Sequence, residues 1–273
     1  MAQNFKRAVL MAGASLLICG TALSAALAAD STPAKSDPAV RAAAWAAIGK
    51  WPDWEEGVWQ IDWQALFGPG GRPTPPDLTP EYAAKLKAYD AAKNEGENLQ
   101  NQNANCLPPG VPQIMQMPYP LEFLFTPGRV TIAIETDSQV RRIYLTDKHP
   151  DDPDAAFNGD SIGHWEGDTL VVDTIALDPT TEIAPGVGHS DKAHIIERIH
   201  ETSPDHLAIS TTIEDPVVLK TPWTVTRPYI RHADWKIQEY VCEQNNHDSA
   251  DAEGRPGFTL EDKVQTPSAT PAN

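Results

Sequence analysis

Short alternating segments separated by tight turns fill the second half of this chain and restrict what it can fold into. From Gly128 onward, GRVTIAIET with QVRRIYLT and SIGHW with TLVVDT flank turns of two or three residues. HIIERIHET with HLAISTTIED and PWTVTRPYIR with WKIQEYVC repeat the pattern. Alternation with a period of two predicts strands, and short turns between strands predict hairpins. Four successive hairpins, with the Trp59 segment added, predict a mainly β fold, an antiparallel meander of 8–9 strands that closes into a barrel.

The N-terminus has the features of a secretory signal peptide. Lys6 and Arg7 precede an apolar run that ends at Ala28 in the small residues that signal peptidase requires. We therefore expect cleavage near Ala28 and a periplasmic or secreted protein. An uncleaved membrane anchor is the alternative, although the run is barely long enough to span a bilayer.

The acidity of the exported chain restricts its partners. Without residues 1–28, the sequence has 19 basic and 38 acidic residues over 245 positions, a formal charge of −19. Nucleic acids and anionic membrane surfaces are bound through patches of Lys and Arg, so we expect neither as a partner. The charge carries no information about the fold.

The chain is expected to form one domain with short flanking segments. The expected divisions are a signal peptide over 1–28, an N-terminal helical segment over 29–56, the barrel domain over 57–245 and a partly mobile tail over 246–273. Inside the domain, Thr79 as a cap and Pro80 at the first helical position predict a helix over 80–96. The proline-rich segment 106–120 is expected to run as an extended arm.

Two cysteines remain after removal of the signal peptide, Cys106 and Cys242. In an oxidising compartment, two such cysteines form a disulfide more often than they stay reduced. A pair of buried thiols is the alternative. Two thiols alone do not make a structural zinc site.

The tripeptide Gly57-Val58-Trp59 resembles the G-x-W signature in the first strand of lipocalins and other calycin barrels. In those barrels the tryptophan plugs the closed end, and an arginine from the last strands packs over it. The resemblance implies a lipocalin-like barrel in which Arg227 or Arg231 takes the place of that arginine.

Four ordered blocks resemble a family of uncharacterised exported bacterial proteins. The blocks are SIGHWEGDTLVVDT, HSDKAHIIERI, DPVVLKTPWT and EYVCEQN. The resemblance implies a standard member of that family with its own domain. It transfers no catalytic residue, because no roles are assigned within the family.

The pentapeptide Gly159-Asp160-Ser161-Ile162-Gly163 matches the G-x-S-x-G pattern of a nucleophile elbow. An elbow requires a strand before the serine and a helix after it. Here the sequence continues as strand, turn and strand. We therefore expect no serine hydrolase chemistry, and glycines that permit a bulge or a close strand crossing.

The segment GHSDKAHIIERIH, residues 188–200, holds three of the eight histidines beside Glu197 and Arg198. In a strand, His194 and Arg198 share one face and Glu197 lies on the other. Three interpretations stay open. They are a polar core with an internal salt bridge, a metal-free ligand or proton-transfer site, and a metal site built from His189, His194 and a carboxylate such as Glu197. The H-x4-H-x2-E spacing matches no established metal-ligand pattern.

The proton-transfer interpretation assigns a role to each candidate residue. His189 or His194 moves the proton, because imidazole changes its charge near neutral pH. Arg198 binds developing negative charge. The carboxylates expected to pair with Arg198 or to orient the histidines are Glu197, Asp173 and Glu239. The expected ligand contacts are Asp173, Trp165, Trp223 and Glu239.

The sequence thus predicts an exported barrel that binds a small hydrophobic or aromatic molecule. As an enzyme, it would be an isomerase, lyase or hydratase that uses acid–base chemistry and no cofactor. A non-catalytic envelope or partner-binding protein is the second interpretation. A metal-dependent enzyme that uses His189 and His194 is the third.

Overall fold

The computed structural model describes most of the expected barrel domain. The described residues are 51–69, 73–95 and 106–242, five helical positions between 39 and 46, and the backbone of two short strands at 248–250 and 256–258. The expected signal peptide over 1–28 lies outside the described residues, as does most of the tail over 246–273. All described residues belong to a single unit, Pro38–Asn273.

Nine of the described strands form a closed barrel, which confirms the predicted fold class. In chain order the strands are β1 (Val58–Ile61), β2 (Leu121–Thr126), β3 (Arg129–Ile134), β4 (Gln139–Tyr144), β5 (Asp160–Glu166), β6 (Thr169–Ile175), β7 (Glu182–Ala184), β8 (Val187–Gly188), β9 (His194–Ser203), β10 (His206–Glu214), β11 (Trp223–His232), β12 (Asp248–Ala250) and β13 (Pro256–Phe258). The order around the barrel is β1-β11-β10-β9-β6-β5-β4-β3-β2. The remaining strands pair as β7 with β8 and β12 with β13.

One strand pairing departs from the predicted antiparallel meander. Strands β4 and β5 run parallel and share two residue pairs, one of which is Ile143 with Ser161. The antiparallel prediction is wrong at this seam, because the segment 145–159 returns the chain before β5 begins. A Cβ atom on Gly163 would lie 2.8 Å from Cγ2 of Ile143, so a larger residue does not fit without a shift. The missing side chain of Gly163 therefore leaves room for the side chain of Ile143.

The fourth predicted hairpin is wrong. The segment WKIQEYVC does not form its second strand, since residues 235–241 have no regular structure. Both edges of β11 are already paired, one with β10 and the other with β1. No edge is left for a following strand, and the ninth barrel strand is β2, whose residues alternate between inward and outward positions.

The guanidinium of Arg231 packs over the ring of Trp59. Trp59 is fully buried, and the arginine Cζ lies 4.6 Å from the ring centroid. Arg231 also donates hydrogen bonds to the backbone carbonyls of Asp53 at 2.8 Å and Glu56 at 3.2 Å. Of the two arginines expected over this tryptophan, Arg231 occupies the position, and Arg227 makes its hydrogen bond elsewhere.

Two α-helices with described bounds lie outside the barrel, α1 (Trp63–Leu66) and α2 (Pro80–Asn94). Helix α2 begins as predicted, with Thr79 at the N-cap position and Pro80 as its first residue. The Thr79 hydroxyl donates to the carbonyl of Val217 at 3.0 Å, so it anchors the helix start to the domain rather than capping its own helix. Within the described part of the chain, no helix has the length and apolar character needed to cross a membrane.

The proline-rich arm over 106–120 is only partly extended, because it contains the 3-10 helix Gln113–Gln116. Ile114 and Met115 in this turn are buried. The Tyr229 hydroxyl donates to the backbone carbonyl of Met115. These contacts fix the arm against β11.

Cys106 and Cys242 form a disulfide, with a Cα–Cα distance of 5.7 Å. This bond confirms the predicted pairing. It joins the start of the arm to the end of the segment that follows β11. Two segments that are far apart in sequence are thereby held side by side.

Candidate ligand site on the barrel wall

Strand β9 separates the predicted site residues onto two faces. Ile195, Glu197 and Ile199 are fully buried and point into the barrel. The side chains of His194 and Arg198 lie on the outer face, with 34% and 47% of their surface exposed. The aliphatic residues account for this orientation, because they gain most from burial.

Inside the barrel, Glu197 forms an ion pair with Arg141 of β4. Arg141 also donates to the hydroxyl of Thr174 at 3.0 Å and reaches the hydroxyl of Ser161 at 3.4 Å. The expected internal salt bridge therefore exists, with Arg141 in the place considered for Arg198. This placement supports a structural role for Glu197, which was a catalytic candidate.

Ser161 lies in β5 and is buried. Its hydroxyl is 2.8 Å from that of Thr174 in the neighbouring strand. Because β5 continues past Ser161 to Glu166, no nucleophile elbow forms. The serine belongs to the polar group around Arg141.

Arg198 forms an ion pair with Glu166 at 2.8 Å and not with Asp173 or Glu239, the partners expected from the sequence. The register explains the difference, because Arg198 faces Val171 of β6 and Asp173 lies two residues further along that strand. The hydrogen bond from Arg198, followed by one from His164, lowers the pKa of Glu166. Glu239 is exposed in the irregular segment after β11.

On the outer face, five side chains form an alternating chain of carboxylates and imidazoles. In spatial order they are Asp160, His149, Asp173, His194 and Glu214. His149 Nδ1 lies 2.5 Å from Oδ1 of Asp160, and its Nε2 lies 3.0 Å from Oδ1 of Asp173. His194 Nε2 lies 2.8 Å from the same Asp173 oxygen, and its Nδ1 lies 3.6 Å from Oε2 of Glu214.

The strand register brings the last three members of this chain together. His194 of β9 and Glu214 of β10 are direct cross-strand partners. Asp173 of β6 faces Ile196 of β9, so it shares the outer face with His194. The loop before β5 supplies His149, and β5 itself supplies Asp160. Neither of these two residues is among the site residues predicted from the sequence.

The neighbouring carboxylates raise the pKa of His149. Burial lowers the pKa of His149, but hydrogen bonds to Asp160 and Asp173 outweigh this effect, and the pKa is raised. His149 therefore stays protonated at higher pH than an ordinary histidine. The same Oδ1 of Asp173 contacts this ring and that of His194, so the carboxylate connects the two histidines.

A cavity of about 710 Å³ opens beside His194. Its apolar lining consists of Pro153, Ala155, Ile175, Ala176, Leu177, Pro179 and Ala193, and its polar lining of His189, Ser190, Asp191, Lys192 and His194. Small-molecule sites have volumes of about 300–1,000 Å³ and this same combination of apolar walls with a few polar groups. The cavity brings together His189 and His194, two of the four predicted catalytic residues.

Both ring nitrogens of His189 have hydrogen-bond partners within the protein. Its Nδ1 lies 2.8 Å from the carbonyl oxygen of Ser190. Its Nε2 lies 2.9 Å from the carbonyl oxygen of Asp178 and 2.9 Å from the hydroxyl of Thr181. Both ring nitrogens are therefore occupied, which makes His189 a support of the wall and His194 the better candidate for proton transfer.

The tryptophans predicted as ligand contacts do not line this cavity. Trp165 belongs to an aromatic cluster, with its ring centroid 5.5 Å from that of Trp54 and 6.2 Å from that of Phe125. The indole N–H of Trp223 donates to the carbonyl of Thr74 at 2.7 Å. Both residues therefore have packing roles.

The metal interpretation gains no support from this geometry. Among the described residues, no group of three or more His, Cys, Asp or Glu side chains is arranged to hold a metal ion. Glu197 is the carboxylate proposed for such a site, and it points into the barrel, away from His194.

No protein-family model matches the sequence, and a search of curated proteins finds no match. The fold and the site therefore define the class of protein. It is a closed β-barrel of nine strands with a small-molecule-sized cavity on its outer wall. His194, the fourth member of the chain of carboxylates and imidazoles, lines that cavity.

Proposed function

We propose that this protein is an exported β-barrel that binds a small, largely apolar molecule in the cavity beside His194 and moves a proton to or from it. The observation that carries the proposal is the position of His194, which both lines the cavity and belongs to the chain of carboxylates and imidazoles. A general base requires access to the ligand and a partner that orients it. His194 has both.

In the proposed reaction, His194 is the base and Asp173 orients it. When the proton on Nε2 is hydrogen-bonded to Asp173, the lone pair is on Nδ1, which then accepts a proton from the ligand. Glu214, at 3.6 Å from Nδ1, stabilises the imidazolium that forms. Lys192 is the cation among the lining residues and takes the role expected for Arg198, to stabilise negative charge on the ligand. Isomerisation, elimination and hydration all use such a step without a cofactor.

The disulfide supports the proposed export. Disulfides persist in the periplasm and outside the cell and are rare in the reducing cytosol. The Cys106–Cys242 bond suits either oxidising location. The N-terminal sequence provides the predicted signal that would direct the chain there.

Hydrogen–deuterium exchange in small compounds tests this proposal whatever product the reaction forms. Pools of carbonyl and hydroxy compounds are incubated with the disulfide-bonded protein in D2O and followed by NMR. We expect the protein to introduce deuterium at an acidic C–H bond of a compound that binds, and His194→Gln to abolish the exchange. His200→Gln is the matched control, because His200 also lies on the outer face of β9 but does not line the cavity.

Two results would count against the proposal. Exchange that persists in His194→Gln would remove His194 as the base. If saturation-transfer NMR detects binding but no variant shows exchange, the protein would be a non-catalytic binding protein. Blocking the cavity with Ala155→Trp, at an exposed lining position, must abolish binding in either case.

A further inference from the structure

A second hollow, of about 490 Å³, lies between the two segments that the disulfide holds side by side. One wall comes from the end of the arm and the other from the segment after β11. The lining residues that matter are Tyr119 from the arm, Asp234, Trp235, Lys236 and Gln238 from the later segment, and Glu135 from the barrel side. The hollow shares no residue with the cavity beside His194.

Two aromatic rings of this hollow are held in place by neighbouring rings. Trp235 is 44% exposed, and it stacks on His232 with a centroid distance of 3.7 Å and an interplanar angle of 8°. Tyr119 contacts Tyr240 edge-on, with centroids 5.4 Å apart. Because these partners fix the rings, a ligand would lose little free energy in ordering them.

The charge around the hollow favours a cation. The carboxylates of Glu135 and Asp234 line it, against the single ammonium group of Lys236. The backbone N–H of Gln238 donates to Glu135 at 2.8 Å and anchors this carboxylate. The whole chain adds a formal charge of −17, which attracts cations to its surface.

We propose that this hollow binds a small organic cation of the quaternary ammonium class. The negative faces of aromatic rings attract such cations, and nearby carboxylates add to the attraction. A neutral apolar ligand would use the rings but not the carboxylates. A bare metal ion would use the carboxylates but gain little from the rings.

Choline and its neutral isostere 3,3-dimethyl-1-butanol test the proposal, because they have the same shape and differ in charge. Binding is measured by NMR titration of the disulfide-bonded protein. We expect choline to bind about tenfold more tightly than the isostere, in keeping with the usual strength of a cation–π contact. Trp235→Leu should weaken choline binding about tenfold, and Lys236→Gln should strengthen it.

Glu135→Gln provides a second variant that keeps an acceptor for the Gln238 N–H but removes the charge. It should weaken binding of choline and leave binding of the isostere unchanged. Equal affinities for the two probes would overturn the proposal, as would binding of neutral sugars in preference to choline. These outcomes are independent of the deuterium-exchange result, because the two sites share no lining residue.

Discussion

Arg141 and Glu197 form an ion pair inside the barrel in which neither side chain is exposed to solvent. The pair links β4 to β9, which are separated in the sheet by β5 and β6. Nε and Nη1 of Arg141 and Oε1 of Glu197 have no hydrogen-bond partner among the described residues. The pair is therefore costly to form, and each charge depends on the other for compensation.

Removal of one partner of this pair should destabilise the barrel strongly. We expect Arg141→Met to lower the free energy of unfolding by about 3–5 kcal/mol, because it leaves the charge of Glu197 buried and unpaired. The double variant Arg141→Met with Glu197→Leu should recover most of the loss. Urea unfolding followed by tryptophan fluorescence measures both, and a double variant no more stable than the single one contradicts this account.

The raised pKa of His149 should make stability depend on pH. A histidine whose pKa is higher in the folded state stabilises the fold fully below its unfolded pKa of about 6.5, and this contribution is lost as the pH rises through the folded pKa. The stability difference between the protein and His149→Gln should therefore shrink as the pH rises above about 6.5 and through the raised pKa of His149. Unfolding free energies across this range provide the measurement. A difference that grows with pH would show that the sign is wrong.

The disulfide should be a major source of stability. It joins residues separated by 136 positions, and the chain-entropy model gives about 5 kcal/mol for a loop of this length. The variant with both Cys106 and Cys242 changed to Ser should unfold at a much lower urea concentration. Reduction of the original protein should have the same effect and serves as the control. A loss below about 1 kcal/mol would indicate that the unfolded chain is already constrained.

Arg231 should be required for the packing over Trp59. Arg231→Leu removes the cation–π contact and the hydrogen bonds to the carbonyls of Asp53 and Glu56, so we expect a loss of about 2–4 kcal/mol. Arg231→Lys keeps the charge but cannot span both carbonyls, so it should recover only part of the loss. Thermal unfolding of the three proteins gives the order. Equal stability of the Lys and Leu variants would show that charge does not contribute.

Local alternation was sufficient to predict most of the strands, because each barrel strand buries one face. The alternation does not specify which strands pair with each other. The parallel seam between β4 and β5 depends on the path of the segment 145–159, and β1 takes the edge of β11 that a fourth hairpin would have used. Both features arise from contacts between distant parts of the chain.

The same limit applies to the site. His194 was predicted from its place in a strand, whereas His149 lies in a loop whose sequence gives no sign of its partners. Arg141 and Arg142 are adjacent in β4, yet the first is fully buried and the second exposed. Which arginine pairs with Glu197 depends on the barrel register, which the sequence of β4 alone does not specify.

Odd-numbered and even-numbered residues of β9 have different roles. Its odd-numbered residues from Ile195 to Ile199 build the interior, and its even-numbered residues from His194 to Arg198 face the outer wall. Substitutions at even positions can therefore alter ligand chemistry while leaving the interior intact. A single inserted residue would exchange the two sets, placing an imidazole among the aliphatic side chains and Glu197 in water. We accordingly expect the fold to tolerate substitution of the outward residues of this strand but not a change in its length.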